Sequence, residues 1–356
     1  MTIRVSLTSI DRTARAALLR AGCDEANAAA VADVITQAER DGCPAHGLFR
    51  LSGYLAALAC GKADGRAAPV ARRLAPGVVR IEGRNGFAPR SMQCARETLA
   101  PLARTQGVAS AAIVDTLHFS ALWADIEPLV ADGLGAFCMT AYLPSVAPAG
   151  ATQPFFGTNP FAFGFPGEGF VFDFATAATA RGELQIAARD GLLAPDGAGL
   201  DAHGRPTRDP AAILAGAQTP FGGHKGSALA LMVELMAGVL IGQPTSVDAA
   251  RQEAARRGED PSVETGPPRG GVFLLAFDPA AFGAAEGWRA HAAAFFDELR
   301  ALSGSGANDG APAGVRLPGD RRRAARARAE REGVVVSRAV WAQACEAAGA
   351  KNDAGA

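Results

Sequence analysis

His46 and Arg50 stand four residues apart in His46-Gly47-Leu48-Phe49-Arg50, the spacing that sets two side chains one turn apart on a shared helix face. An imidazole titrates near neutrality and can exchange a proton with a developing oxyanion or amine, while a guanidinium forks onto a carboxylate. Together they suit a 2-oxo acid or a 2-imino acid, although an ordinary surface pair has the same spacing. A second constellation is Gly222-Gly223-His224-Lys225-Gly226-Ser227. Of 35 basic residues only Lys62, Lys225 and Lys351 are lysines, so a lysine in a glycine-rich turn opening an apolar helix indicates a use for a compact ammonium. Such a helix start also favours anions, a dinucleotide pyrophosphate or a carboxylate. Lys62 and Lys351 read as plain surface residues. His118 falls where a strand ends and a helix begins, Gly157-Thr158-Asn159-Pro160 is a turn able to hydrogen-bond a ligand, and Asp173 is an acid in an apolar strand. An acid so placed is hydrogen-bonded, either structurally or to a ligand hydroxyl.

Several chemistries are missing. There is no Gly-x-Gly-x-x-Gly; Gly304, Gly306 and Gly310 have the wrong spacing, and the Gly222 turn lacks Walker spacing. The five histidines show no zinc-type pairing, so no metal site is expected, and no Gly-x-Ser-x-Gly elbow occurs. A net charge of −1 gives no pull toward nucleic acid, and the arginine-rich stretch 321–331, interrupted and followed by Glu330 and Glu332, reads as a solvated helix. The six cysteines are widely spaced, the N-terminus lacks a signal-peptide pattern, and the apolar run 228–241 is too short to span a bilayer. These features predict a soluble, cytoplasmic protein without a membrane partner.

The elements that must position these residues follow from the pattern. With 356 residues, 49% hydrophobic and 20% charged, the chain is compact rather than disordered, in one large or two medium domains. Residues 8–61 read as helices: one capped by Ser9 or Thr8, one capped by Asp24, and one after Pro44 with Leu48, Leu51, Leu55 and Leu58 on one face. From about residue 69 the texture becomes α/β, with strands at 78–81, 108–114, 134–140, 161–165, 170–174 and 272–277 and a helix at 90–105. The apolar helix 227–241 should be buried on most sides, and 243–270 reads as a surface excursion. A helix at 288–302 leads into a loop at 303–314, then the helix 321–331, a short strand 334–336 and a last helix.

In this order the pieces resemble the type-2 malate/L-lactate dehydrogenase-like NAD(P)-dependent oxidoreductases, through DGCPAHGLFRLSG (41–53), GTNP (157–160), 172–176 and PFGGHKG (220–226). Within that family HFSALWADIEP (118–128), GELQIAAR (182–189) and LPGDRR (317–322) are most similar to the Δ1-piperideine-2-carboxylate/Δ1-pyrroline-2-carboxylate reductases. The resemblance implies a non-Rossmann α/β body, residues 76–317, with a mixed, largely antiparallel sheet, and a helical domain from 1–75 with 318–356. It implies NADPH, or NADH, as cofactor, a small-molecule substrate and a homodimer. His46 would be catalytic, with Glu183 an acid able to orient it; Arg50 would clamp the substrate carboxylate and Thr158 touch the substrate. The cofactor would be lined by His118, Phe119, Ser120, Ala121 and Leu122, by Asp173, Phe174, Ala175 and Thr176, by His224 and Lys225, and by Gly319, Asp320 and Arg321. Two positions depart from the pattern: Ala45 replaces the serine usually preceding the histidine, and Leu117 stands where a polar residue is common. The implied activity is reduction of cyclic 2-imino acids to L-proline or L-pipecolate. The alternatives are dehydrogenation of a 2-hydroxy acid and a non-catalytic dinucleotide-binding protein.

Overall fold

The structure, a computed structural model, describes residues 1–167, 169–257, 268–283, 287–302 and 315–350. Its centre is a seven-stranded sheet in the order Val70–Ala75, Val78–Phe87, Val108–Leu117, Arg269–Phe277, Gly135–Thr140, Phe161–Phe165, Phe170–Phe174. Only Val78–Phe87 and Val108–Leu117 run parallel; all other neighbours are antiparallel. This is the mixed, largely antiparallel sheet expected. The parallel pair needs a crossover, supplied by the helix Ala88–Gln106, which has Pro89 in its first turn and ends at Gly107 with φ +80°. That helix and Leu122–Ala131 cover one face, where Ile81, Met92, Leu99, Ile113, Leu129 and Leu274 share a core. On the other face Val233, Ala237 and Ile241 pack against Val114, Met139 and Phe273.

Both chain ends meet beside the sheet. Thr2–Val5 pairs antiparallel with Val334–Ser337, and the helices Leu7–Arg20, Glu25–Arg40 and Arg338–Ala348 bury Ile10, Leu18, Val31, Ile35 and Trp341 together. Phe87 and Leu117, from two strand ends, join that same cluster, which ties the helical layer to the sheet. Asp24 caps its helix through the Asn27 N–H (2.8 Å), but the first helix is capped by Ser6 rather than Thr8 or Ser9.

Other expectations need correction. The segment after Pro44 is not one helix: Pro44–His46 and Leu48–Arg50 are separate 3-10 turns, divided by Gly47 at ψ −140°, and an α-helix begins only at Leu51. His46 and Arg50 therefore converge through a kinked turn, not along a helical face. The strand Val70–Ala75 is bonded into the sheet, so position 75/76 divides an edge hairpin. The helix His224–Glu234 continues as a π-helical turn, Leu235–Val239, and is far from buried on most sides: Leu231, Leu235, Val239 and Leu240 are 47–62% exposed. Part of the expected excursion is the helix Ser246–Arg257, while 258–267, the loop 303–314 and Lys351 lie outside the described residues. Lys62 is no surface residue. The Ser246–Arg257 helix closes over it, leaving its side chain fully buried with Nζ 2.8 Å from the Glu253 carboxylate.

Candidate active site

A cleft of about 800 Å³ opens between the helical layer and the sheet. One wall is the kinked turn, carrying Ala45, His46 and Arg50; the other is built from 118–123, just past the end of the inner strand Val108–Leu117, and from Phe172–Ala175. Thr158, Tyr142 and the start of the helix Arg181–Asp190 close one end, and Arg316–Gly319, Arg321 and Arg322 line another part.

The turn is held from beneath. Buried Glu39 accepts the Leu48 N–H at 2.8 Å, and a Cβ at Gly47 would fall 2.1 Å from its Oε1, so any larger residue would push that carboxylate aside. Burial pushes Glu39 up to about 7 against the pull of that hydrogen bond. The Arg50 Nε–H donates to the Ala45 carbonyl at 2.7 Å, and its guanidinium lies over Phe49 and Phe119. Gly182 completes the packing, since a Cβ there would lie 3.0 Å from the Ala45 Cβ and 3.1 Å from an Arg50 terminal nitrogen.

His46 Nδ1 is 3.1 Å from the Phe119 carbonyl. A carbonyl only accepts, so Nδ1 carries the proton and Nε2 is left as an acceptor. Burial first, then the Arg50 charge, pushes His46 down to about 4, leaving it neutral near pH 7. Glu183 lines the cleft but makes no hydrogen bond or ion pair with His46; the Phe119 carbonyl orients the ring instead. His118 is held differently, its Nε2 2.8 Å from the Asp125 carboxylate and both side chains nearly buried. Asp173 accepts the Trp123 N–H at 3.0 Å, which makes it a cap for the Leu122–Ala131 helix borrowed from a neighbouring strand; burial pushes it up to about 6.

The cleft brings together His46, Arg50, His118, Phe119, Ser120, Ala121, Leu122, Thr158, Asp173, Phe174, Ala175, Glu183, Gly319 and Arg321. It does not include Thr176, Asp320, His224 or Lys225. Thr176 is buried with its hydroxyl on the Thr158 carbonyl, and Asp320 binds the Leu317 N–H and Arg323. His224 and Lys225 are exposed at a helix start whose neighbour Phe221 packs edge-on against Phe174. Lining residues that sequence reasoning passed over are Tyr142, Arg181, Arg316 and Arg322. Asp125, the partner of His118, was visible only as an acid within HFSALWADIEP.

The donor set fits a dinucleotide. Arg316 and Arg321 are exposed on the cleft, Gly319 (φ +96°) caps a helix whose N-terminus faces the same region, and Arg322 Nε is buried without a hydrogen-bond partner. Guanidiniums and helix N-termini are the groups that hold phosphates. Among the described residues no cluster of metal-ligating side chains occurs, and no helix is long and apolar enough to cross a membrane.

Comparison with known proteins agrees with this layout. Residues 5–344 match the family model described as malate/L-lactate dehydrogenase. The Δ1-pyrroline-2-carboxylate reductase of Ancylobacter novellus is 47% identical, with 96% of each chain covered. The Δ1-pyrroline-2-carboxylate/Δ1-piperideine-2-carboxylate reductase of Pseudomonas aeruginosa is 41% identical over 95% of this chain and 97% of its own. Among solved structures, Δ1-piperideine-2-carboxylate reductase from Pseudomonas syringae superposes with a TM-score of 0.85 at 39% identity, covering 97% of this chain and 99% of that one.

Proposed function

The chain belongs to the malate/L-lactate dehydrogenase family, and from that premise we propose that it reduces the cyclic 2-imino acids Δ1-pyrroline-2-carboxylate and Δ1-piperideine-2-carboxylate to L-proline and L-pipecolate. The observation that carries the choice of an imine over a keto acid is the state of His46. A keto group needs a proton delivered to its oxygen, and a histidine held near 4 is a poor acid at neutral pH. A cyclic iminium brings its own proton. Neutral His46 accepts a hydrogen bond from that N–H at Nε2, which keeps the substrate in its reactive charged form. Arg50 binds the carboxylate and fixes which face of C2 is presented, with Thr158 beside it. As C2 becomes tetrahedral the nitrogen lone pair is restored, and the resulting amine takes its second proton from solvent. Ala45, in place of a serine, fits a reaction that asks little of the histidine as an acid.

The reductant is a nicotinamide dinucleotide, which when bound supplies the hydride; we assign NADPH rather than NADH because Arg316 and Arg321 offer charge for an added phosphate. His118 to Leu122 and Phe174–Ala175 would hold its nicotinamide half, and Gly319 with Arg321 its phosphates. Asp173 and Thr176 would shape that wall, and Asp320, His224 and Lys225 would reach the cofactor from beyond the cleft lining. Glu183 would bias the His46 environment across the cleft. We further read a helical unit from the two chain ends on an α/β body, and a cytoplasmic homodimer in which a second copy covers Leu231, Leu235, Val239 and Leu240. Light scattering on the purified protein tests the dimer. The activity is tested at 340 nm with NADPH and NADH against both imino acids and a panel of 2-oxo acids; turnover confined to the oxo acids would overturn the reading.

A further inference from the structure

Arg50 does not stand alone in the cleft. Arg181, the first residue of the helix Arg181–Asp190, lines the same end, half-buried, with Tyr142 close by. The backbone at Gly182, the next residue, comes up against the Arg50 guanidinium, a Cβ there falling 3.1 Å from a terminal nitrogen, so Arg181 enters the cleft from the segment that packs on Arg50. Burial pushes the Arg181 guanidinium down from its usual range, Tyr142 opposes that, and the Arg50 charge adds a smaller push in the same direction as burial. A guanidinium stays charged in proteins, so two like charges sit together in a partly dehydrated space. Among the described residues neither arginine meets a carboxylate within ion-pair distance; Glu183, two positions along from Arg181, makes no ion pair, and Asp173 is committed to the Trp123 N–H. Such a pair is stabilised only when an anion lies between them.

We propose that Arg181 is a second residue for the substrate carboxylate, gripping it together with Arg50, so that one carboxylate is shared by two guanidiniums. This rests on the reading of the cleft as an imino-acid site, and it adds a specificity residue to it. The double contact selects small substrates whose carboxylate adjoins the reacting carbon and rejects the amide or ester of the same ring.

Picolinate, a planar ring carboxylate that cannot be reduced here, serves as the probe. Calorimetric titration of the wild type, Arg181→Gln and Arg181→Lys, with thermal melts of each free protein and steady-state kinetics, gives the test. Arg181→Gln should weaken picolinate roughly tenfold or more, raise KM for the imino acid with a smaller change in kcat, and leave the ligand-free melting temperature equal or higher because a like-charge contact is gone. Arg181→Lys should recover part of the affinity. Unchanged picolinate affinity in Arg181→Gln, weakened NADPH binding in its place, a lower melting temperature with all affinities intact, or no picolinate binding by the wild type would each overturn the proposal. The two readings fail separately: tight picolinate binding without turnover of any cyclic imino acid sinks the assigned reaction, while normal turnover with an unmoved KM in Arg181→Gln sinks only the second clamp.

Discussion

His46 and His118 face one cleft from different walls, and the two walls treat a histidine in opposite ways. On the helical wall the imidazole has a backbone carbonyl at 3.1 Å and a guanidinium for a neighbour, and no carboxylate. On the sheet wall His118 is fixed by Asp125 at 2.8 Å, with Asp173 and Arg322 close behind, Asp173 accepting the Trp123 N–H and Arg322 donating to the Val171 carbonyl. A histidine hydrogen-bonded to a buried acid has its ring position fixed by that acid. One held only by a carbonyl keeps a free acceptor nitrogen facing the substrate. Under the proposed function the carbonyl-held histidine belongs to the end that reacts and the acid-tied one to the end that holds the cofactor.

The largest effect should come from removing the free acceptor. His46→Asn should lower kcat by roughly 10–150-fold, the 1.5–3 kcal/mol of a hydrogen bond to a charged group, with the cofactor KM little moved. His118→Asn should do the reverse, raising the cofactor KM with a modest change in kcat. Stopped-flow and steady-state rates at 340 nm distinguish them, and equal losses of kcat would dissolve the contrast between the walls.

Asp125→Asn probes the scaffold side. It weakens a buried hydrogen bond at a side chain only 1% exposed, and it should destabilise the fold by about 2–3 kcal/mol, as for a hydrogen bond to a charged group. Urea unfolding measures this. A variant as stable as the wild type would show that the His118–Asp125 contact is not a structural tie.

A third test concerns how the helical wall is seated. Glu39 beneath Gly47 is held near 7, raised above its ordinary 4.5, so the folded state binds more protons than the unfolded one between those values. Its contribution is therefore complete below pH 4.5 and is lost as pH rises through about 7. His46 has the opposite sign: lowered from 6.5 to about 4, it contributes stability present above pH 6.5 and lost as pH falls toward 4. Glu39→Gln keeps an oxygen for the Leu48 N–H and removes the ionisation, so relative to wild type it should gain about 1–2 kcal/mol as pH rises from 5 to 8, a discounted fraction of the linkage free energy. Melting curves across that range check it; a parallel pair of pH profiles would count against a buried, titrating Glu39.

The two walls were not equally legible in the sequence. The strands of the sheet wall follow from alternation and from aromatic runs bounded by glycine, and Phe161–Phe165 and Phe170–Phe174 fall where the pattern puts them. His118 at the strand end follows from the same reading. The helical wall gave up its residues but not its geometry: a four-residue spacing suggested one helix face, whereas Gly47, packed over the carboxylate below it, splits the segment into two turns. Spacing encodes a face only while the backbone stays regular. Long-range pairings left no local trace. The burial of Lys62 depends on Glu253, 191 residues away, and the place of Arg181 in the cleft depends on the next residue, Gly182, packing against Ala45 and Arg50.

The smallest expected effect lies past the edge of the sheet wall. His224 and Lys225 were singled out from the chain's scarcity of lysine, yet both are exposed and sit one packed ring, Phe221 on Phe174, beyond the cleft lining. An exposed ammonium acting on an anion through solvent is worth a fraction of a kcal/mol to about 1 kcal/mol, and it is screened by salt. If the holding wall extends to this helix start, Lys225→Gln should raise the NADPH KM by roughly two- to fivefold at low ionic strength, leave kcat alone, and lose its effect as salt is added. Lys62→Gln, which empties a buried ion pair, should instead lower the melting temperature without touching the cofactor KM. A kcat loss in Lys225→Gln comparable to that of His46→Asn would mean that the turn moves into the cleft when the cofactor binds, and the division into a reacting wall and a holding wall would then have to be redrawn around Lys225.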